Sequence, residues 1–405
     1  MKIVFLNRYF YPDYSATGQL LSDLAFRLAA DGRSVHVITS RQRYDVPGAG
    51  LLARETVRGV VIHRVWTSRF GRGNLLGRAF DYLTFYVSTF LALIGTISRG
   101  DVVVSKTDPP LLSLIACGAV NLRGAKFVNW LQDLFPEVAA EVGMGWARSW
   151  LGRVLATFRD GSLRAAHVNV VLGTRMQHYV VSRGAHPSKI RVIPNWADGE
   201  LICPLEPADN RLRRDWGLEG KFVVGYSGNM GRVHEFETAL GASEALKGDE
   251  GVVFLFIGGG AQRIWLEDEA RRRGLANVRF QPYQPSERLA QSLSAPDVHL
   301  ISQRPEVEGY VVPSKFYGIA AAGRPAIFVG SPEGEIAQTI NESGCGFVVR
   351  VGDVQGLTAA ITRLRHDPEL RRTYGENARR VFDNRFDKRH ALATWTQVLN
   401  QLSNG

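Results

Sequence analysis

Cysteine is scarce in this sequence and has no paired spacing. The 405 residues include three cysteines, Cys117, Cys203 and Cys345, which lie far apart along the chain. Disulfide-stapled domains have dense cysteines, and structural zinc sites need ligands in short, repeated spacings. The sequence therefore supports neither a disulfide framework nor a zinc site, and it predicts a protein of the reducing cytoplasm.

The chain also lacks a long uninterrupted hydrophobic run. Its most apolar window, 82–97, has sixteen uncharged residues, whereas a membrane-spanning helix usually needs about 20. The opening M-K-I-V-F-L turns polar too soon for a signal peptide. Just upstream, Arg69, Arg72 and Arg78 alternate with aromatic and aliphatic residues, a mixture that suits a membrane interface. Two interpretations stay open here: a core helix after a basic loop, or peripheral contact with an anionic membrane.

Several ligand motifs are missing as well. No G-x-G-x-x-G fingerprint follows the first strand, which argues against a nicotinamide-dependent dehydrogenase, and there is no P-loop. No Asp-x-Asp or cluster of carboxylates and histidines points to a metal. The net charge is +10, but the arginines are spread along the chain without a nucleic-acid recognition motif. An anionic small molecule or an anionic membrane face fits this charge.

What is present is a regular alternation of apolar strands and helical segments. Alternation of this kind predicts an α/β fold with parallel sheets covered by helices on both faces. The predicted strands are 2–6, 34–39, 101–105, 125–130, 168–171, 190–193, 221–227, 251–258, 277–280, 297–301, 325–329 and 346–350.

Segment 194–207 interrupts this alternation with three prolines and reads as a domain boundary. The pattern predicts two doubly wound domains, 1–193 and 194–387, that face each other across a ligand-binding cleft.

Three turns after predicted strands stand out as phosphate-binding candidates. They are 7–18, which ends in Thr17-Gly18, the turn G-N-M-G-R-V-H at 228–234, and 310–325. In the last of these, Ser314 is a good N-cap, and Lys315 places a cation at the positive end of a helix dipole. An anion bound there explains that lysine, and a side chain extended into water is the alternative.

These segments together resemble a known enzyme family over nearly the whole chain. The sequence is similar to family four of the retaining glycosyltransferases, which have the GT-B fold of two facing Rossmann-like domains. Within it, G-N-M-G and P-S-K resemble the subgroup that builds O-antigen and exopolysaccharide of the colanic-acid type, including N-acetyl-fucosamine transferases. The resemblance is carried by the helix opening at Gly18, Q-D-L-F-P-E (132–137), V-I-P-N (192–195), Y-S-G-N-M-G (226–231), I-G-G-G (257–260) and 308–325.

The resemblance implies a role for some residues and leaves gaps at others. Gly18, with Thr17, matches the glycine near the donor phosphate, and Asp133 is retained from a family His-Asp pair whose histidine is here Gln132. The diphosphate-binding Arg and Lys of the family fall on Asn229 and Glu235.

Nearby residues are candidates to replace the missing Arg, Lys and glutamate side chains of the family. Arg232 is the nearest cation to that altered pair. The two family glutamates fall on Tyr310 and Gly318, which leaves Glu308 or Glu306 as the sugar-contacting carboxylate.

The resemblance thus implies that the enzyme transfers an N-acetylated hexose or 6-deoxyhexose from a nucleotide diphosphate donor to a lipid-linked or growing saccharide. It favours UDP as the nucleotide. Its first domain would bind the acceptor, its second the donor, and a helix near 388–405 would pack back onto the first. No cofactor or metal is implied, and the enzyme would be cytoplasmic or peripheral on the inner membrane face. The implied catalytic residues are Asp133, Lys315 and Glu308, and the implied donor-binding residues are Gly18, Thr17, Gly228, Asn229, Arg232, Ser314, Lys315 and Glu308.

Two other functions stay open. A nucleotide-sugar epimerase shares the fold but needs a cleft rich in carboxylates and histidines. A catalytically silent nucleotide-sugar-binding subunit is consistent with the missing Glu, Arg and Lys. Among the histidines, His36 and His299 lie in apolar strands and read as core residues, whereas His234 either caps a helix or contacts a phosphate.

Overall fold

In the computed structural model, which describes residues 1–13, 15–43, 50–70 and 75–404, the chain divides into two compact units. Unit 1 comprises Met1–Pro194 together with Ala391–Gly405, and unit 2 comprises Asn195–His390. The division falls where the proline-containing segment interrupts the strand–helix alternation.

Unit 1 is built on an eight-stranded sheet. Its strands are β1 (Lys2–Leu6), β2 (Ser34–Ser40), β3 (Arg54–Val57), β4 (Val60–Val65), β5 (Val102–Ser105), β6 (Lys126–Trp130), β7 (Val168–Val171) and β8 (Ile190–Val192). Its helices are α1 (Ala16–Ala30), α2 (Leu75–Thr96), α3 (Leu112–Arg123), α4 (Glu137–Glu141), α5 (Trp150–Ala165) and α6 (Thr174–Ser182).

The strand order in this sheet is β3-β4-β2-β1-β5-β6-β7-β8, and every pairing is parallel except that of β3 with β4. The sequence prediction had missed the β3–β4 hairpin. Its turn residues Arg58 and Gly59 both have positive φ, +47° and +79°, as a two-residue type I′ turn requires. Without an Asn-Gly or Asp-Gly pair, this turn is hard to recognise from sequence.

Unit 2 is built on a six-stranded parallel sheet. Its strands are β9 (Phe222–Ser227), β10 (Val252–Ile257), β11 (Val278–Gln281), β12 (Val298–Ser302), β13 (Ala326–Val329) and β14 (Gly346–Val349). The remaining helices of the chain are α7 (Arg211–Asp215), α8 (Glu237–Ala245), α9 (Arg263–Arg272), α10 (Leu289–Ser294), α11 (Lys315–Ala321), α12 (Glu335–Ser343), α13 (Val354–His366), α14 (Pro368–Val381) and α15 (Lys388–Asn404).

The strand order in unit 2 is β11-β10-β9-β12-β13-β14, so the order reverses between β9 and β12. The corresponding reversal in unit 1 lies between β1 and β5. In open parallel sheets the loops diverge at this point, and the carboxyl ends of the two strands leave a crevice that binds ligands. The parallel α/β prediction is confirmed, and it directs attention to the residues that follow these four strands.

Each unit has its own apolar core. Phe254, Phe256 and Leu300 lie in the core of unit 2, and Val4 and Phe127 lie in that of unit 1. Strands covered by helices on both faces are largely buried, as β10 is along its whole length, and such strands appear in the sequence as continuous apolar runs.

The C-terminal helix α15 belongs to the core of unit 1. Trp395 is fully buried, as the sequence predicted, and its ring lies 4.6 Å from that of Trp130 in β6. Lys126 also donates a hydrogen bond to the carbonyl of Leu402, at 2.6 Å. The last helix is therefore an integral layer of this unit.

Helix α2 is longer than the apolar window predicted. It starts at Leu75 and has 22 residues. Asp81, the charged residue that precedes the apolar window, is buried within the fold and accepts a hydrogen bond from Ser68 at 2.6 Å. By length and composition Leu76–Thr96 is long and apolar enough to cross a membrane, which for one helix is weak evidence. Its inner face, with Phe85 and Leu93, packs into the core of unit 1. Arg72 lies outside the described residues.

Candidate active site

Two glycine-rich turns close the carboxyl ends of β9 and β10. Gly228 has φ +122° and Gly258 has φ +131°, values that side-chain-bearing residues rarely adopt. The turns are joined by a hydrogen bond from the Met230 amide to the Gly259 carbonyl, at 2.6 Å. A Cβ at Gly258 would overlap the Gly228 carbonyl oxygen. Glycine is therefore needed because backbone approaches backbone here.

Lys315, the first residue of α11, reaches this pair of turns. A Cβ built on Gly228 would lie 3.2 Å from Lys315 Cε, so the lysine stem lies directly on that turn. Its Nζ lies 2.9 Å from His234 Nε2 and 5.0 Å from the centroid of the Tyr226 ring. The ammonium group is thus held at the carboxyl end of β9, beside the crevice.

His234 connects Lys315 to β12. Its Nδ1 lies 2.6 Å from the carbonyl oxygen of Ser302, the last residue of that strand. A carbonyl only accepts, so Nδ1 carries the proton and Nε2 presents its lone pair to the Lys315 ammonium. The sequence had left His234 open between a helix cap and a phosphate contact. The structure instead uses it as a neutral acceptor that fixes Lys315 at the switch point.

Lys315 and His234 both have strongly lowered pKa values. Burial lowers the pKa of Lys315 from 10.5 to about 7. Burial, and then the neighbouring Lys315 charge, lower the pKa of His234 to about 3, so the imidazole is neutral at pH 7. Within the described parts of the chain, no carboxylate forms an ion pair with Lys315. Lys315 is half-buried, and a partly desolvated ammonium without an anionic partner is stabilised when an anion binds beside it.

The structure gives less support to the other site residues predicted in this region. Ser314 is exposed, and its hydroxyl makes no capping hydrogen bond to α11, which contradicts the predicted N-cap. Its φ of −71° and ψ of −14° are helical, whereas a capping side chain requires an extended backbone. Asn229 and Arg232 lie in the turn after β9 and are exposed. Arg232 makes no hydrogen bond or ion pair to any residue that the structure describes.

Glu308 is engaged in a structural contact. One carboxylate oxygen, Oε1, accepts a hydrogen bond from the backbone N–H of Glu335 at 3.2 Å, at the start of α12. The other oxygen lies against Gly334, where an added Cβ would come within 2.7 Å. Glu308 therefore serves the N-terminus of α12, and any contact with a sugar stays a prediction.

Asp133 lies at the carboxyl edge of unit 1, three residues after β6. It lines a cavity of about 20 Å³ with Thr107, Arg159 and other residues. Burial raises the pKa of this carboxyl, although a hydrogen bond from Thr107 acts in the opposite direction. Pro136, and not Asp133, precedes α4, and no side chain caps that helix. Asp133 therefore does not act as an N-cap of α4.

A buried ion pair holds the loop that carries Asp133. Arg159 in α5 donates to both carboxylate oxygens of Glu137, at 2.6 and 3.0 Å, and Tyr179 donates to the same carboxylate at 2.6 Å. Arg159 also donates to the carbonyl of Phe135, at 3.3 Å. Bidentate arginine–carboxylate pairs have a fixed geometry. The motif Q-D-L-F-P-E thus contains both the candidate site residue and its anchor.

The turn after β1 contains Thr17 and Gly18. Gly18 is buried in the first turn of α1, and a Cβ there would lie 2.8 Å from Ser15 Oγ and 3.4 Å from the Tyr9 carbonyl. The carbonyl of Thr17 accepts a hydrogen bond from Lys106 Nζ at 2.9 Å. Gly18 therefore permits a tight approach of α1 to the chain after β1.

Lys106 was missed by the sequence reasoning. It follows β5 directly, is fully buried, and places Nζ 3.6 Å from the centre of the Trp130 ring. Burial lowers its pKa well below 10.5. A lysine directly after the buried strand V-V-V-S was the available signal, because residues there reach the carboxyl edge of the sheet.

The two histidines that the sequence predicted as core residues are structural. His299 is buried and its Nε2 contacts the Leu293 carbonyl at 2.8 Å, as expected of a core residue. His36 is only half-buried and lies 3.1 Å from His63, a partner in the unpredicted strand β4. In the described residues, no three carboxylate, cysteine or histidine side chains are grouped as metal ligands would be.

Comparison with known families accounts for both units. The family described as "Glycosyl transferase 4-like domain" matches residues 16–196, and the family described as "Glycosyl transferases group 1" matches residues 209–381. The two matches follow each other along the chain and together span most of it. The chain is a glycosyltransferase.

This glycosyltransferase is similar to one curated protein over nearly its full length. It is 27% identical over 400 residues to a putative colanic acid biosynthesis glycosyl transferase, WcaI, of Escherichia coli, covering 95% of this chain and 97% of that one. The predicted membership of a bacterial polysaccharide-building group is confirmed at this level.

Solved structures show that the glycosyltransferase has the GT-B fold. Sucrose-phosphate synthase from Thermosynechococcus elongatus aligns with a TM-score of 0.81 at 19% identity, over 99% of each chain. HepE from Anabaena, determined with UDP and glucose, aligns with a TM-score of 0.75 at 17% identity, over 99% of this chain and 100% of that one. At such identities the likeness establishes the fold and no more.

Proposed function

We propose that this glycosyltransferase moves a sugar from a UDP-linked donor to a lipid-linked or growing saccharide, with retention of the anomeric configuration. The colanic-acid relative supports a place in cell-surface polysaccharide synthesis, and the HepE complex supports UDP as the nucleotide. By resemblance to the family, the sugar is an N-acetylated hexose or 6-deoxyhexose, and the enzyme works in the cytoplasm or on the inner membrane face.

The observation that carries this proposal is the unpaired ammonium of Lys315. When a nucleotide diphosphate leaves a sugar, negative charge grows on the departing phosphate oxygens while the sugar becomes oxocarbenium-like. A cation already fixed beside those oxygens stabilises this charge without having to reorganise. Lys315 is positioned on the Gly228 turn by His234, and the turn itself offers close backbone approach.

The other donor-side residues complete this proposed phosphate site. Gly228 and Asn229 would contact the diphosphate through the turn, and exposed Arg232 and Ser314 are free to swing toward it. Glu308, next to α12, would accept a sugar hydroxyl.

We assign the binding of the acceptor to unit 1. Asp133 is the proposed contact for the reacting sugar or acceptor hydroxyl, since its pKa is raised by burial at the carboxyl edge of the sheet. A raised carboxyl pKa is a common property of groups that exchange protons in catalysis. Gly18 and Thr17 would shape the turn near the transferred group.

A thermal-shift titration with UDP tests the donor proposal. UDP should raise the melting temperature of the native chain, and Lys315→Ala should abolish this shift while leaving the unliganded melting temperature nearly unchanged. Lys247→Ala is the matched control, since Lys247 is an exposed lysine of the same unit. A full UDP shift in Lys315→Ala would contradict the assignment, and UDP binding without transfer to any acceptor would favour a silent binding subunit.

The charge assignment also predicts that transfer does not require a metal ion. If Lys315 neutralises the leaving diphosphate, activity should survive EDTA with at most a small loss. The measurement is the rate of UDP release in the presence of acceptor, with and without chelator. Complete loss that manganese restores would mean that a cation, and not the lysine, carries the charge.

A further inference from the structure

Arg8, which follows β1, is a buried arginine without an anionic partner. Its side chain is 6% exposed, and its Nε atom makes no hydrogen bond. Among the residues that the structure describes, its guanidinium group makes one hydrogen bond, from Nη2 to Gln42 Oε1 at 3.5 Å, which is long for such a bond. Two other buried arginines, Arg159 and Arg213, are paired with carboxylates. Arg8 is thus a desolvated cation that lacks an anion.

The backbone fixes Arg8 at the carboxyl edge of the sheet of unit 1. Its N–H donates to the carbonyl of Asp108, after β5, at 2.8 Å, and its own carbonyl accepts from the N–H of Ser40, at the end of β2, at 3.0 Å. Arg8 therefore lies where the strand order reverses between β1 and β5. This is the point at which an open parallel sheet leaves a crevice for a ligand.

A second arginine approaches the same aromatic ring as Arg8. The Cζ atoms of Arg8 and Arg78 lie 4.9 and 5.4 Å from the centre of the Tyr82 ring. Arg78, in the first turn of α2, also donates from Nε to the Tyr82 hydroxyl at 2.9 Å, and it is exposed. We name Arg8, Arg78 and Tyr82 the two-arginine cluster. Its two like charges repel each other, so an anion bound there stabilises both.

Within the described residues, no ion pair joins Arg8 or Arg78 to a carboxylate. Asp81, next to Tyr82 in the chain, is buried and already engaged. It accepts hydrogen bonds from the hydroxyl of Ser68 at 2.6 Å and from the N–H of Phe70 at 3.1 Å. The protein itself therefore does not neutralise the two-arginine cluster.

The two-arginine cluster is connected with the surroundings of Asp133. Tyr86 lies one helical turn after Tyr82, and their ring centres are 6.4 Å apart. The hydroxyl of Tyr86 donates to the carbonyl of Pro110. Pro110 lines the same small cavity as Asp133. The buried cation and the proposed acceptor-binding aspartate thus belong to one continuous set of contacts within unit 1.

We propose that the two-arginine cluster binds an oxyanion of the acceptor, a phosphate or a carboxylate, while the reacting hydroxyl of the acceptor lies at Asp133. This inference rests on the proposed binding of the acceptor to unit 1, and it adds the chemical class of that acceptor. Guanidinium groups bind phosphate and carboxylate oxygens through paired N–H donors in a fixed geometry. The enzyme therefore selects anionic acceptors over neutral saccharides of similar size.

Calorimetry on the full chain, with the donor site saturated by UDP, tests this subsite. The probes are inorganic pyrophosphate, methyl glucuronide and, as the neutral match of the glucuronide, methyl glucoside. The native chain should bind one of the two anions at least about tenfold more tightly than the glucoside, the factor that one charge-assisted hydrogen bond contributes. Tighter binding of pyrophosphate would identify a phosphate-linked acceptor, and tighter binding of glucuronide an acidic saccharide. Equal binding of all three probes, or none, would overturn the proposal.

Arg8→Gln and Arg78→Gln should each weaken binding of the preferred anion by about tenfold or more, because each removes a charged donor. Arg99→Gln is the matched control. Arg99 is an exposed arginine between α2 and β5, at the amino edge of the same sheet, and its variant should bind as the native chain does. Anion binding that is unchanged in both Arg8→Gln and Arg78→Gln would contradict the assignment.

The melting temperature without ligand distinguishes a ligand-binding Arg8 from a structural one. Because a desolvated charge without an anionic partner is unfavourable, Arg8→Gln should leave this temperature unchanged or raise it. Arg78 is exposed, so Arg78→Gln reports on anion binding in a folded chain even if Arg8→Gln unfolds. A marked fall in the melting temperature of Arg8→Gln, together with native anion binding in Arg78→Gln, would show a structural role and sink the proposal.

The UDP thermal shift separates this inference from the proposed function. The arginine variants should keep the full UDP shift, since Arg8 and Arg78 belong to unit 1 and Lys315 belongs to unit 2. Selective anion binding without a UDP shift would contradict the donor assignment and leave the anion subsite in place. A UDP shift without selective anion binding would do the reverse.

Discussion

At the scale of single residues, Lys315 shows how a neighbourhood sets the chemistry of a side chain. Burial alone lowers the pKa of this ammonium to about 7, since the described residues offer it a neutral imidazole and an aromatic ring and no carboxylate. A bound diphosphate acts in the opposite direction, because an adjacent anion favours the charged form. Donor binding and proton uptake at Lys315 should therefore be coupled.

This coupling predicts a pH dependence of UDP binding. Between pH 7 and pH 9 the Kd should rise, by up to about tenfold per pH unit, because free Lys315 loses its proton above its pKa and must regain it on binding. Lys315→Arg should bind with a nearly constant Kd in this range, because arginine stays charged. Calorimetry in two buffers of different ionisation enthalpy measures the proton uptake directly. A native Kd that does not change over this range would contradict the role of the ammonium.

Sequence reasoning found Lys315 and Asp133 but not their partners. A lysine after a serine at a helix start, and an aspartate in Q-D-L-F-P-E, are local signals. His234 lies 81 positions from Lys315, and Lys106 meets Thr17 across 89 positions. Such contacts arise only when the parallel strands are brought side by side, so no local pattern contains them.

At the scale of secondary-structure elements, the two glycine turns of unit 2 act as one piece. The Gln262 side chain donates to the carbonyls of Gly231 and His234, at 2.6 and 3.0 Å, and so fastens the second turn to the first. The strand-turn-helix pattern was evident in the sequence. That the second turn supports the first, and needs its own glycine to do so, follows from the close approach of Gly258 to Gly228.

Gly258→Ala should therefore disrupt the donor site from a distance. The added Cβ meets the Gly228 carbonyl, and the left-handed backbone adds strain of about 1–3 kcal/mol. We expect a lower free energy of unfolding in urea and loss of the UDP thermal shift. Gly248→Ala is the control, since Gly248 has open space around it and should change stability by less than about 0.5 kcal/mol. An unaltered UDP shift in Gly258→Ala would show that the turns are independent.

At the scale of the whole molecule, the C-terminal end of the chain belongs to unit 1, the unit in which the chain begins. Helix α15 begins in one unit and ends in the other, and it buries Trp395 and Leu399 completely in unit 1. This arrangement makes the stability of unit 1 depend on the last residues of the chain. The aromatic Trp395–Trp130 contact is the largest element of that packing.

Trp395→Ala should thus destabilise unit 1 selectively. Truncating a fully buried tryptophan costs about 3–5 kcal/mol. We expect an earlier urea transition for part of the molecule, measured by the total tryptophan fluorescence, while the UDP shift persists at low urea. Trp150→Ala, at an exposed position, is the control and should change stability by about 0.5 kcal/mol or less. A single, uniformly shifted transition that also removes the UDP shift would mean that the units unfold together.

The amino-acid sequence by itself determined the α/β class, almost every strand and the break near Pro194, because buried parallel strands are short apolar runs and turns need glycine and proline. It also contained the glycine turns that we propose as the phosphate site. Tertiary structure decided which side chains meet: Lys315 with His234, and Glu137 with Arg159 beside the loop that carries Asp133. These depend on strand order and on which helix face finds a partner, and both are properties of the assembled sheet that no short stretch of sequence encodes.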